Sequence, residues 1–166
     1  FSNYVYKVKM FLKNKKYILD GGTGQTLLEK GLKPEGTLWS ASALINNNFH
    51  HLVVETHLDY INAGSELIVT NSFAVRKRRL LQNNKLEYFE SANKTAGKLA
   101  KKAKDLSNKN ILIAGSLPAH GDTYQPHFFY TDKEVYEGFY EAAKILNPYV
   151  DLFFLDVMCS IKEIKY

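Results

Sequence analysis

The stretch YILDGGTG, residues 17–24, sets the pattern for the whole chain. A short apolar run ends at an acid, Asp20, and opens onto a glycine-rich turn that begins with Gly21 and Gly22. The same arrangement returns three times. Residues 66–69 (ELIV) run into Thr70, Asn71, Ser72 and Phe73; residues 111–114 (ILIA) run into Gly115-Ser116-Leu117-Pro118; residues 152–155 (LFFL) stop at Asp156. Short apolar runs bounded by turn residues read as buried strands. In parallel α/β folds, ligands bind and chemistry happens at the carboxyl ends of the strands. Here those ends carry acids, glycines and a Thr-Asn pair, the pattern of an active-site rim.

The segments between the strands read as helices. One spans residues 26–30 and stops at Gly31, and Ser40 can N-cap a short piece after it. Residues 50–63 show helical apolar spacing and end at Gly64. Residues 75–83 are basic. Residues 86–106 form a long amphipathic helix with Phe89, Ala92, Ala96, Leu99, Ala100, Ala103 and Leu106 on one stripe and lysines on the others. Asp132 resembles the N-cap of a helix over 135–145, closed by Asn147-Pro148. Ser160, with Glu163 three residues on, matches a capping box for a last helix. The order is therefore β and α in strict alternation, and right-handed crossovers make the sheet parallel. Four β/α units fit an open doubly wound sheet or half of an eight-stranded barrel. A complete barrel needs about 250 residues, against 166 here.

Composition narrows the function. The chain is 45% apolar and 23% charged, which is globular and not disordered. Its net charge of +5 permits anionic partners, but no nucleic-acid-binding signature accompanies it, so nucleic acid is not expected. No apolar run is long enough to span a bilayer, so no membrane partner is expected either. The single cysteine, Cys159, allows no intrachain disulfide and no thiolate-rich zinc site. Residues 1–16 lack the marks of a signal peptide. They read as an N-terminal extension, with Met10 as the natural start, and the protein is expected in the cytoplasm.

Five motifs in register carry a family resemblance: ILDGGTGQTLLEKG (18–31), LWSASAL (38–44), HLDYINAGSELIVTNSFA (57–74), AGSLP (114–118) and DLFFLDVMCSIKEI (151–164). Together they resemble the homocysteine S-methyltransferase family, zinc-dependent (β/α)8 TIM barrels that include betaine–homocysteine methyltransferase. The resemblance implies that residues 17–166 form the N-terminal half of a homocysteine-binding barrel, about its first four β/α units. It implies transfer of a methyl group from a donor to the sulfur of homocysteine, giving methionine. In the substrate-binding set it places Asp20, Gly21, Gly22, Thr70, Asn71, Phe73 and Asp156. Asp20 matches the family acid after the first strand. Asp156 stands where the family usually has the Glu that holds the substrate amine, one methylene longer. The family's zinc cysteines lie in its second half, in GxNC-like and GGCC-like segments, and Cys159 falls at a position the family does not use for zinc. On this reading the chain holds half a substrate pocket and no metal ligands, and by itself is inactive.

Plainer readings stand beside these. GGTG lacks the remainder of a phosphate-binding motif and is better read as a turn that lets backbone approach a ligand. Thr70 and Asn71 have a second use in satisfying loop backbone. Trp39 fits packing as well as substrate shielding. His50, His51 and His57 read as surface or packing residues, His120 and His127 as rim residues with a second use near a donor, and Cys159 as a small buried residue. Two rival functions remain. A different barrel enzyme would need a strand-end lysine or phosphate site, and none of the four ends carries Lys. A degenerate half-barrel would serve as a binding module, and its two open sheet edges would favour pairing with a second copy as a homo-oligomer.

Overall fold

The computed structural model describes residues 15–121 and 130–165. Three parallel strands form the sheet: β1 (Leu67–Val69), β2 (Leu112–Pro118) and β3 (Leu152–Asp156). They lie side by side in chain order, with Val69 opposite Ala114 and Ser116 opposite Phe154. The segment expected as the first strand sits beside β1 in the same direction, but as a single parallel bridge between Leu19 and Leu67. The Ile18 carbonyl accepts the Leu67 amide and the Leu67 carbonyl accepts the Asp20 amide. The expected strand is thus one rung long. The next ladder donor, Val69 N–H, turns to the Asp20 side chain at 2.8 Å. Nothing covers the other edge of this segment among the described residues, and Ile18 is 62% exposed.

Helices pack on this sheet. They are α1 (Thr23–Glu29), α2 (Ser42–Ile45), α3 (His50–Ala63), α4 (Lys77–Gln82), α5 (Phe89–Ser107) and α6 (Asp132–Leu146). α3 ends where sequence placed it, because Gly64 takes the left-handed turn at φ 112° that a side chain resists. α5 buries Phe89, Ala92, Ala96, Leu99, Ala100 and Ala103 in one stripe. Leu106, expected on that stripe, is 57% exposed in the last turn of the helix. Leu27, Ile61, Ile68, Leu80 and Leu146 are fully enclosed, and truncating any such leucine or isoleucine to Ala should cost about 2–5 kcal/mol. His57 lies wholly inside this core. Burial alone drives its imidazole down to about 4, so it is neutral, and neither ring nitrogen has a partner.

Several local expectations are corrected. α1 starts three residues early, at Thr23, directly on the glycine turn. Ser40 makes no cap: a 3-10 turn, Trp39–Ala41, leads into α2, and it is Ser42 Oγ that accepts the Glu35 amide. The long helix begins at Phe89 after a 3-10 turn, Leu86–Tyr88. Thr131, not Asp132, caps α6, in a capping box with Glu134. The similar spacing at Ser160 and Glu163 forms none. Glu163 is buried and accepts the His120 amide at 2.8 Å, tying the segment after β3 to the loop after β2. Cys159 is half-buried, its thiol donating to the Val157 carbonyl at 3.5 Å. His127 lies outside the described residues.

Candidate functional site

The carboxyl ends of the strands open into a cavity of about 490 Å³. Its lining brings together all seven residues singled out in the sequence: Asp20, Gly21, Gly22, Thr70, Asn71, Phe73 and Asp156. They arrive there for different reasons. Gly21 and Gly22 form the turn between the Leu19 bridge and α1, and Gly24 lets the Trp39 ring lie against the backbone. A Cβ on Gly24 would come within 2.5 Å of that ring. Trp39 in turn meets Phe73 edge to face, with ring centroids 6.4 Å apart. Together they form the aromatic wall of the cavity.

Thr70 and Asn71 follow β1 and are almost fully buried. Their polar atoms are largely used by the scaffold. Thr70 Oγ1 accepts the Ser116 amide at 3.0 Å and shares a hydrogen bond with Ser72 Oγ; Asn71 Nδ2 donates to the Ser40 carbonyl. These bonds fix the rim loop against β2 and against the turn that carries Trp39, which holds the cavity open in one shape.

The two acids are different. Asp20 Oδ2 accepts the Val69 amide, and Asp156 Oδ2 accepts the Ser116 hydroxyl at 2.8 Å. Neither has an ion-pair partner among the described residues. Burial pushes the Asp20 carboxyl up to about 7, against the pull of the Val69 and Asp20 amides, and the neighbouring Asp156 adds to the rise. Burial likewise raises Asp156 above the ordinary carboxylate range, against the Ser116 hydroxyl. With no counter-charge beside them among the described residues, the ionised form of these two carboxyls is the one that a nearby cation would favour.

Two features of the rim were not legible in sequence. Trp39 and Val157 both hold left-handed backbone, at φ 49° and 52°, and both line the cavity. For a β-branched residue such as Val157 this is a strained conformation, and strain of this kind gathers at functional sites. Arg79, from α4, and Ser116, from β2, also take part. The segment around Arg79 reads simply as basic, and no periodicity signals that one of its side chains turns inward.

The family model for homocysteine S-methyltransferase matches residues 17–166. The chain belongs to the homocysteine S-methyltransferase family. Among curated relatives, homocysteine S-methyltransferase 1 of Zea mays is 28% identical over 137 residues, 75% of this chain and 40% of the relative. Selenocysteine Se-methyltransferase of Brassica oleracea var. italica is 28% identical over 138 residues, 74% of this chain and 38% of the relative. The crystal structure of the metallated homocysteine methyltransferase MmuM from Escherichia coli superposes with a TM-score of 0.81 at 22% identity, covering 95% of this chain and 59% of that one. The last likeness establishes a shared fold. The chain spans about two fifths of the length of these curated relatives.

That crystal structure is of a metallated form, which makes metal ligation a question for the residues here. Among the described residues no three His, Cys, Asp or Glu side chains come together closely enough to surround an ion. The one thiol of the chain, Cys159, is engaged with the Val157 carbonyl. This family member's described residues do not fit a thiolate zinc centre.

Proposed function

We propose that this chain forms the amino-acid-gripping part of a homocysteine S-methyltransferase, supplying about the first four β/α units of its barrel. Strands that follow one another in chain order support the barrel over a doubly wound sheet, whose order reverses at a switch point. The carrying observation is the pair Asp20 and Asp156, half-buried at one cavity and lacking a cation among the described residues. An ammonium group is what that pair takes. The reaction would move one methyl group: the thiolate sulfur of homocysteine forms a bond to the methyl carbon, the donor's bond to that carbon breaks, and the thiol proton leaves to solvent. The residues here bind and orient the amino acid for that step. Zinc ligands, where the whole enzyme uses zinc, would come from residues outside those described.

Asp156 is one methylene shorter than the family's usual Glu. Ser116 Oγ, which donates to it, holds the short side chain toward the cavity. Calorimetry on the protein that carries this chain tests the reading. Homocysteine should bind, and 4-mercaptobutyrate, which lacks the amino group, should bind at least tenfold more weakly. Equal binding of the two would overturn it. Selenocysteine as a competing acceptor shows whether the shorter acid has shifted the preference.

A further inference from the structure

Arg76 stands just before α4, is only 7% exposed, and is not among the residues that line the cavity. Its guanidinium nonetheless joins two parts of the rim. On one side it lies over the Phe73 ring, with Cζ 5.5 Å from the ring centroid. A cation over a ring is attracted by the ring's electron-rich face, and more strongly where water is kept away. On the other side Nη1 donates to the Ala119 carbonyl at 2.9 Å and to the Gly121 carbonyl. The side chain therefore ties an aromatic residue after β1 to the loop after β2. A planar guanidinium suits both tasks, since it stacks on a ring while its N–H groups point outward in its own plane.

The loop that Arg76 grips is itself held from the end of β3. The Ala119 amide donates to the Asp156 carbonyl at 3.3 Å, and the His120 amide donates to the buried Glu163 carboxylate. Arg76 is thus anchored to fixed backbone. Phe73 is different: it is half-buried and borders the open space of the cavity. A ring with no neighbours on its open side is placed by whatever grips it elsewhere. Two such grips are on the page, the Arg76 guanidinium and the edge-to-face contact with Trp39.

We infer that Arg76 is a positioning residue for the pocket: it fixes Phe73, and through Phe73 the Trp39 ring, by mooring the aromatic wall to the loop after β2. The consequence for binding rests on the reading of the cavity as an amino-acid site. Arg76 touches no substrate in this scheme and acts only through the wall that a ligand meets.

The test uses Arg76→Met and Arg76→Lys in the protein that carries this chain. Trp39 emission is isolated by subtracting the matched Trp39→Phe protein, and homocysteine binding is titrated by calorimetry. Without ligand, Arg76→Met should move Trp39 emission to longer wavelength, because a loosened wall admits water to the indole. Homocysteine should bind about 3- to 30-fold more weakly, a loss bounded by the worth of one shielded cation–π contact. Arg76→Lys keeps the charge without the planar fork and should fall between wild type and Met; it gives both readouts if the Met variant does not fold. In a Phe73→Leu background the same Arg76 changes should alter homocysteine affinity by less than about twofold, since the ring through which Arg76 acts is gone. Unchanged Trp39 emission, unchanged affinity, or an undiminished loss in the Phe73→Leu background overturns the assignment and leaves the amino-acid reading intact. Wild-type protein that binds no homocysteine overturns that reading, and the binding role of Arg76 with it.

Discussion

Two aspartates perform the same backbone task at opposite ends of the sheet, and only one of them is neutralised. Asp151 precedes β3, and its Oδ2 accepts the Ile113 amide at 2.8 Å. Asp20 follows the Leu19 bridge, and its Oδ2 accepts the Val69 amide at the same distance. Each carboxylate takes a strand N–H just beyond the regular ladder. Asp151 is 41% exposed and lies 3.3 Å from Lys104 Nζ. Asp20 is set in the cavity beside Asp156, with no cation beside it among the described residues. Capping a ladder therefore accounts for both acids being present. It does not account for one of them being left without a counter-charge. On the proposed function, that difference separates an acid that serves the fold from one whose charge is kept for a ligand.

The largest effect should come from removing each acid in turn. Asp20→Ala should lower homocysteine affinity by about 2–5 kcal/mol, the cost of stripping one member from a desolvated charge pair. Asp151→Ala should leave affinity unchanged. Calorimetry reads both, and equal losses would erase the distinction between the two ends.

An intermediate effect comes from pH. With the folded carboxyl of Asp20 at about 7 and the unfolded value near 4, the folded chain keeps a proton that the unfolded chain has lost between those pH values. The contribution of this group to stability falls as pH rises through that window. Asp20→Asn removes the slope, with the amide oxygen still able to accept from Val69. Ammonium binding needs the ionised acid, so affinity should rise as pH climbs through about 7. Denaturation midpoints and titrations across the window follow the two trends. Slopes of the same sign would break the account of Asp20.

The smallest effect sharpens the other side of the comparison. Lys104 and Asp151 form an exposed pair, and Lys104→Ala should cost about 0.2–1 kcal/mol of stability with no change in binding. Urea denaturation resolves a loss of that size, and a larger loss would mark Asp151 as less solvated than its exposure indicates.

Much of the fold could be read from the chain because its signals are local. The runs at 66–69, 111–114 and 152–155 are apolar and followed by turn residues, and each marks a strand. Gly115-Ser116-Leu117-Pro118, expected as the turn after the third run, instead continues β2 as far as Pro118, because it pairs with residues 153–156 of β3. The end of α3 is set by a glycine, and the buried stripe of α5 by alanine spacing. What failed depends on partners far along the sequence. Thr131 and Glu134 form a capping box, whereas Ser160 and Glu163, at the same spacing, do not. Glu163 is instead drawn to the His120 amide, 43 residues away. The acids and glycines of the site were legible because strand ends are legible. Arg79 was not, since its inward turn depends on Thr37, 42 residues before it. Thr70 and Asn71 do reach the cavity, but their hydrogen bonds show scaffold duties that residue type alone does not separate from binding.

The left-handed residues at the cavity rim, Trp39 and Val157, carry a consequence for what a ligand meets there. Each stores about 1–2 kcal/mol in its backbone. The rim therefore carries backbone strain at two points of the cavity wall, kept there by the packing around it. Trp39 lies against Gly24 and meets Phe73 edge to face, so one strained residue is tied at once to the glycine turn and to the loop after β1, and a ligand on this wall meets both through a single side chain.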